Sequence, residues 1–267
     1  MTRRLVLALV ALVVAGCASS PTAASPSRAP AAVDLTIFGA ASLSDVLDAA
    51  KTAYEAAVPG TTVTISTDSS AALETKIEQG APADVFLAAD TSNPQKLVDG
   101  GLAAGDAVVF AGNELTIIVP EGNPAAIGSP ADLARDGVKV IAAGDEVPIT
   151  KYATQLVENL AKQPGYPADF EATYAANVVS KEDNVKAVVA KIGLGEGDAG
   201  IVYVTDAKAS ADVETVEVPD AANVPVSYAG VVVKASANAD AGAAFLTWLA
   251  GSSGQAILGD AGFLPPR

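Results

Sequence analysis

Short β-rich runs and segments of helical period alternate along most of this chain, and that alternation limits the fold more than any other feature. VDLTIF (33–38) is strand-like, whereas SLSDVLDAAKTAYEAA (42–57) spaces Leu43, Val46, Leu47, Ala50 and Tyr54 with a helical period. TTVTIS (61–66) reads as strand, Ala71 to Gln79 as helix closed by Gly80, DVFLAA (84–89) as strand, and NPQKLVDGG (93–101) as a short helix stopped by glycines. ELTIIVP (114–120), VKVIAAG (138–144), AGIVYV (199–204) and SYAGVVVK (227–234) are further strands, with helices near 131–136, 150–162, 183–192 and 239–257. The pattern specifies an α/β fold with a mainly parallel sheet and ligand sites at the carboxyl ends of its strands.

The N-terminus is of a different kind. MTRRLVLALVALVVAG (1–16) has a basic start at Arg3 and Arg4 followed by an apolar run too short for the roughly 20 residues that span a bilayer, which reads as an export signal peptide. It ends in VAGC (14–17), which resembles the lipobox of bacterial lipoproteins; the resemblance implies cleavage before Cys17 and a lipid on its sulfur. Cys17 is the single cysteine, so no internal disulfide can form. The Ala-, Ser- and Pro-rich stretch that follows completes a flexible tether over 17–32, and folding is expected to start at Val33.

Composition removes several classes of chemistry. A formal charge of −15 argues against nucleic acid as a partner, because that contact needs a basic patch. The absence of histidine takes away the commonest general base and the commonest metal ligand. With the only cysteine at the lipidation position, triads built on His are excluded. GEGDAG (195–200) fits G-x-G-x-x-G, but a helix precedes it and a strand follows, the reverse of a dinucleotide site, so it reads as a tight turn.

Two polar strand-to-helix junctions carry more information. In FGAASLSDV (38–46) a strand runs into small residues and Ser42 opens a helix; in STDSSAAL (66–73) a second strand does the same at Ser69 and Ser70. Two helix starts at one sheet edge aim unpaired N–H groups and positive dipole ends at a common point, a ready anion site. Taken alone, each junction reads as plain capping, Ser42 with Asp45 forming an S-x-x-D box.

FGAASLSDVL, SSAALETKIEQGAPADVFLAAD (69–90), EDNVKAVV (182–189) and AGIVYVTDA (199–207) together resemble the molybdate-binding proteins of molybdate ABC transporters, within the type II periplasmic-binding-protein family. The likeness runs from about Leu35 to the C-terminus. It implies two α/β lobes, 33–114 plus 229–267 and 115–228, joined by ELTIIVP and SYAGVVVK as crossing strands, with a ligand cleft between them. It also implies an oxyanion, molybdate or tungstate, held by the hydroxyls of Ser42, Ser70 and Tyr203 and the backbone amides of Ile149 and Val185, with Ser69 assisting. Molybdenum would then be bound as its oxyanion with no direct protein–metal bond, and no cofactor is expected.

Ile149 departs from the family pattern, since VPITKYA (147–153) stands where a small residue is usual, and a bulky side chain there could narrow the pocket. The implied partners are an ABC transporter permease and, through Cys17, the outer face of the cytoplasmic membrane; a monomer is expected. Lys76, Lys151 and Lys186 read as solvated, and Asp68 as turned away from the cleft. Two other readings stay open: the same fold holding phosphate, sulfate or a small carboxylate, and an enzyme of this architecture using Ser70 with Lys76.

Overall fold

The first sheet has both faces buried, and its composition requires it. The computed structural model describes residues 32–267; the signal, Cys17 and nearly all of the tether lie outside the described residues. In β1 (Val33–Ala40), Leu35 and Ile37 face one side and Phe38 the other; in β3 (Val85–Ala88), Val85 and Leu87 oppose Phe86 and Ala88. A strand apolar on both sides needs helices above and below it. Here α1 (Ser44–Ala57), entered through a 3-10 turn at Ala41–Leu43, packs on one face with the C-terminal helices α8 (Ala239–Ala250) and α9 (Ser252–Ala261). On the other face lie α2 (Ser70–Glu78) and α3 (Ser92–Asp99), through Leu73, Ile77 and Leu97.

The sheet order is β2-β1-β3-β10-β4, with β2 at Thr61–Asp68, β4 at Val108–Asn113 and β10 at Val226–Val232. β1 pairs in parallel with β2 and β3, but β10 is antiparallel to both β3 and β4. The expectation of a mainly parallel sheet therefore fails at β10, which enters from the other lobe and so runs opposite to the strands that precede a crossover helix.

The second lobe is built on β5 (Leu115–Pro120), antiparallel to β8 (Gly200–Tyr203) and β9 (Val213–Val216), and on the parallel pair β6 (Val140–Ala143) and β7 (Val178–Glu182). Its helices are α4 (Pro148–Ala161), α5 (Phe170–Asn177), α6 (Val185–Gly193) and the short α7 (Val204–Lys208). ELTIIVP and SYAGVVVK are strands, but neither bridges the sheets: β5 pairs only in the second lobe and β10 only in the first. The chain crosses at Asn113–Glu114 and again through 217–225, so strand pairing puts Val226, Ser227 and Tyr228 with the first lobe, three residues ahead of the expected boundary.

Three further differences from the sequence reading have local causes. The helix expected over 239–257 breaks at Gly251, whose ψ of 179° is extended, so that α9 restarts at Ser252. The helix near 131–136 is a 3-10 turn at Pro130–Ala134, closed by a reciprocal Ser129–Asp132 box. β4, β7, β9, α5 and α7 had no signal strong enough to read; β9 is VETV, half exposed, and α5 buries only Phe170. Among the described residues no helix is long and apolar enough to cross a membrane.

GEGDAG is the helix-to-strand turn expected of it, joining α6 to β8 with Gly195 at φ +73°. Its last glycine sets how closely α6 lies on the strand that carries Tyr203. A Cβ on Gly200 would meet Val188 Cγ1 at 2.9 Å and the Ile141 carbonyl at 3.0 Å. Gly200→Ala should therefore destabilise the chain by about 1–3 kcal/mol through overpacking, read as a lower urea midpoint; an unchanged midpoint would mean that α6 can back away at no cost.

Candidate functional site

Four helix starts and the ends of two further strands meet on a small cavity between the lobes. From the first lobe come Ala40–Ser42 at the end of β1, Ser69 and Ser70 after β2, and Ala89 after β3. From the second come Val147–Ile149 at the start of α4, Asn184 and Val185 at the start of α6, and Tyr203 at the end of β8. The cavity is small, with room for little more than one water-sized sphere. The structure thus brings together Ser42, Ser70, Ile149, Val185 and Tyr203, with Ser69 beside them. It leaves Asp68, Lys76, Lys151 and Lys186 off the wall.

The local causes can be named residue by residue. Ser69 is the N-cap of α2: its Oγ accepts the Ala72 N–H at 3.3 Å, which makes Ser70 the first helical residue. Ser70 Oγ accepts the Ala89 N–H at 3.0 Å, and because an amide N–H can only donate, the serine hydrogen is left for the cavity. Asn184 caps α6 by accepting the Ala187 N–H at 3.1 Å, leaving the Val185 N–H at the helix mouth. Pro148 is the first residue of α4 and has no N–H, so Ile149 supplies that helix's first amide. The Ile149 side chain itself is buried in the apolar core.

Tyr203 is the most demanding member. Its side chain is 1% exposed, and its Oη has no hydrogen-bond partner among the described residues. Burial, reinforced by Tyr228, Tyr152 and nearby carboxylates, raises this phenol well above its ordinary range, so it stays an O–H donor. Ser42 Oγ lies 3.0 Å from Tyr228 Oη. No residue lining the cavity is charged, and among the described residues no group of His, Cys, Asp or Glu could hold a metal ion. What the wall offers is hydroxyl and amide hydrogens.

The charged neighbours are engaged elsewhere. Burial alone would raise the Asp68 carboxyl, but the Lys76 ammonium at 2.8 Å and the Ser69 N–H at 2.8 Å hold it below its ordinary range. Lys76 is tied to Asp68 and does not line the cavity, which separates it from Ser70 and removes the pairing an enzyme reading would need. The reading of Lys186 as simply solvated is corrected: its ammonium lies 2.5 Å from Asp45 of the first lobe and 3.7 Å from the fully buried Asp206. Sequence reasoning missed Asn184, Tyr228, Asn113 and Asp206. The asparagine ahead of VKAVV was a legible cap; Asn113 and Tyr228 act through contacts more than 90 residues apart in sequence.

With this geometry in view, comparison with known proteins is specific. Residues 35–264 match the family described as bacterial extracellular solute-binding protein. This chain belongs to that family. The solute-binding protein is 34% identical over 96% of its length to the molybdate-binding protein ModA of Mycobacterium tuberculosis (strain ATCC 25618 / H37Rv), covering 95% of it. It is 31% identical over 84% of its length to a putative ABC transporter substrate-binding lipoprotein, YvgL, of Bacillus subtilis (strain 168), covering 82% of it. Its fold is shared with the periplasmic molybdate-binding protein of Azotobacter vinelandii, at a TM-score of 0.74 and 24% identity over 87% of this chain and 100% of that one. The fold is the two-lobed α/β architecture, and its relatives are solute-binding proteins of transporters, not enzymes.

Asp206 gives the site a pH signature. Burial pushes its carboxyl up to about 7, Lys186 opposing and Asp45 reinforcing the rise, with the Tyr203 and Tyr228 phenols as its other titratable neighbours. Between an unfolded value of about 4 and about 7, the folded chain keeps a proton that the unfolded chain has lost. Stability must fall as pH rises through that window. Asp206→Asn should be stabilised relative to the parent at pH 8, by the order of a few kcal/mol, and by much less at pH 5. Urea unfolding of both proteins at the two pH values measures this; parallel pH dependences would mean that the carboxylate is at ease when charged.

Proposed function

We propose that this solute-binding protein captures molybdate, and tungstate equally well in chemical terms, from outside the cytoplasm and delivers it to an ABC importer. The observation that carries the reading is a cavity, contributed by both lobes, that presents donors only, with the unpartnered Tyr203 phenol among them. A fully deprotonated tetrahedral dianion accepts a hydrogen bond at every oxygen and donates none, so such a wall satisfies it completely. The hydroxyls of Ser42, Ser70 and Tyr203 and the amides of Ile149 and Val185 would be the ligands, Ser69 holding the helix start behind them. The oxygens are bound and the metal is not touched. Both lobes contribute, so ligand favours the closed form, the form a permease could recognise.

The names of the relatives support molybdate as the ligand and transport as the setting. Hydrogenphosphate fits less well, because it needs an acceptor for its proton and the nearest candidate, Asp68, is held by Lys76 and lies off the wall. Sulfate is acceptor-only as well and differs mainly in size, so it is the discriminating competitor.

Titration calorimetry with molybdate, tungstate, sulfate and phosphate tests the assignment. Each charge-assisted hydrogen bond is worth about 1.5–3 kcal/mol, so Ser70→Ala and Tyr203→Phe should each weaken molybdate binding by roughly one to two powers of ten. Parent-like affinity in either variant removes that residue from the ligand set, and a parent that prefers sulfate transfers the site to that anion.

The lipid anchor is part of the same proposal, supported by VAGC at 14–17 and by the lipoprotein name of the Bacillus relative. Replacing Cys17 by Ser should release the protein from the membrane fraction, because the tether offers no other attachment. Fractionation of expressing cells reads this out; firm retention of the variant would place the anchor elsewhere.

A further inference from the structure

A line of three buried polar groups runs from the point where the chain leaves the first lobe to the wall of the cavity. Asn113, the last residue of β4, accepts the Glu114 N–H at 2.9 Å through its Oδ1. That contact fixes the side-chain amide, because the flipped amide would set two donors face to face. Its Nδ2 then faces Thr205 Oγ1 at 2.8 Å and Tyr228 Oη at 3.4 Å. Tyr228 is fully buried, its ring meeting Phe110, Phe263 and Tyr203 edge-on, and among the described residues its one other hydrogen-bond partner is Ser42 Oγ at 3.0 Å.

Counting hydrogens gives this line a direction. Asn113 Nδ2 can only donate, so Tyr228 Oη accepts from it, and the single phenol hydrogen has Ser42 Oγ as its remaining acceptor. In the opposite arrangement, with Ser42 donating to Tyr228, the phenol hydrogen would face the Asn113 donor and be left buried without a partner, a cost of about 1–3 kcal/mol. Ser42 therefore accepts from behind and has its own hydrogen free for the cavity. Ser70 is set in the same sense by the Ala89 N–H.

We propose that Tyr228, oriented by Asn113, is a specificity-determining positioning residue: by donating to Ser42 it fills one of that oxygen's two acceptor sites and leaves the hydroxyl hydrogen for the cavity, so that the site favours acceptor-only oxyanions over those that must donate a proton. The inference rests on the anion-binding reading of the cavity and adds to it the reason why a hydroxyl, which can normally accept through two lone pairs as well as donate, is biased here toward donating and against hydrogenphosphate. Without the phenol, Ser42 can rotate and accept the proton of a protonated anion.

The test is a double-variant cycle of Tyr228→Phe and Ser42→Ala, titrated with molybdate and with inorganic phosphate, with thermal unfolding in the absence of ligand to verify folding. Tyr228→Phe should weaken molybdate binding about tenfold and lower the molybdate-to-phosphate affinity ratio. In the Ser42→Ala background the same change should cost nothing further. Multiplying effects in the double variant, or equal loss for both anions in Tyr228→Phe, would overturn the proposal and reduce the tyrosine to packing. Should Tyr228→Phe not fold, the cycle is run with Asn113→Ala, which keeps the phenol but frees it to accept from Ser42; the molybdate-to-phosphate ratio should then fall by less, and only with Ser42 present, and an unchanged ratio would overturn the proposal. A parent that binds none of the tetrahedral oxyanions would instead overturn the site assignment, an outcome separate from either result of the cycle.

Discussion

A buried hydroxyl with nothing to donate to costs a folded chain about 1–3 kcal/mol, and Tyr203 carries that cost at the centre of this molecule. Around it lie the amides of Ile149 and Val185, each at a helix start where no intrahelical acceptor exists, and the hydrogen of Ser70. These groups share one deficiency: hydrogens without acceptors, in a space too small for many waters. A single acceptor-only ion would cancel several such penalties at once. That is why neutral dipoles can suffice where a surface site would need lysine or arginine.

The fold supplies this convergence through the way its strands end. β1, β2 and β8 each run their carboxyl ends to the cleft and turn directly into helix or 3-10 turn, so backbone donors arrive with no intervening loop. Closure itself owes little to ion pairs. The Lys186–Asp45 contact joins the lobes at 2.5 Å, but the Asp45 side chain is 64% exposed, and exposed pairs are worth about 0–1 kcal/mol. The apolar cluster that runs unbroken from Leu35 and Phe245 to Ile118 and Val188 is the larger cohesive term.

How much of this could be read in advance depends on the range of each interaction. Ser42 and Ser70 were legible because a strand, a few small residues and a helical period are all local signals. Val185 and Ile149 came from the family likeness, although the Asn184 cap and Pro148 beside them are local signals. Tyr203 came from it too: a tyrosine in GIVY is an ordinary strand residue until Val185 and Ser70 are placed against it. The antiparallel entry of β10, and with it Tyr228 beside Ser42, depends on the chain's return from the second lobe. No local pattern encodes that return. Gly251 could have been read as a break, but the apolar period continued across it.

The proposed anion site looks contradictory in a chain of formal charge −15 until distances are considered. Screening confines exposed charges to about 8 Å at physiological ionic strength, whereas the donors of the wall act at hydrogen-bond distance in a closed space of lower dielectric. The neighbouring carboxylates are engaged one at a time: Asp68 pairs with Lys76, Asp90 accepts from Asn93, and Asp206, its carboxyl pushed up to about 7 by burial, is faced by Lys186. The acidic surface then governs solubility and encounter rate, while affinity is decided inside, by which hydrogens point inward and whether any oxygen on the wall is free to accept one.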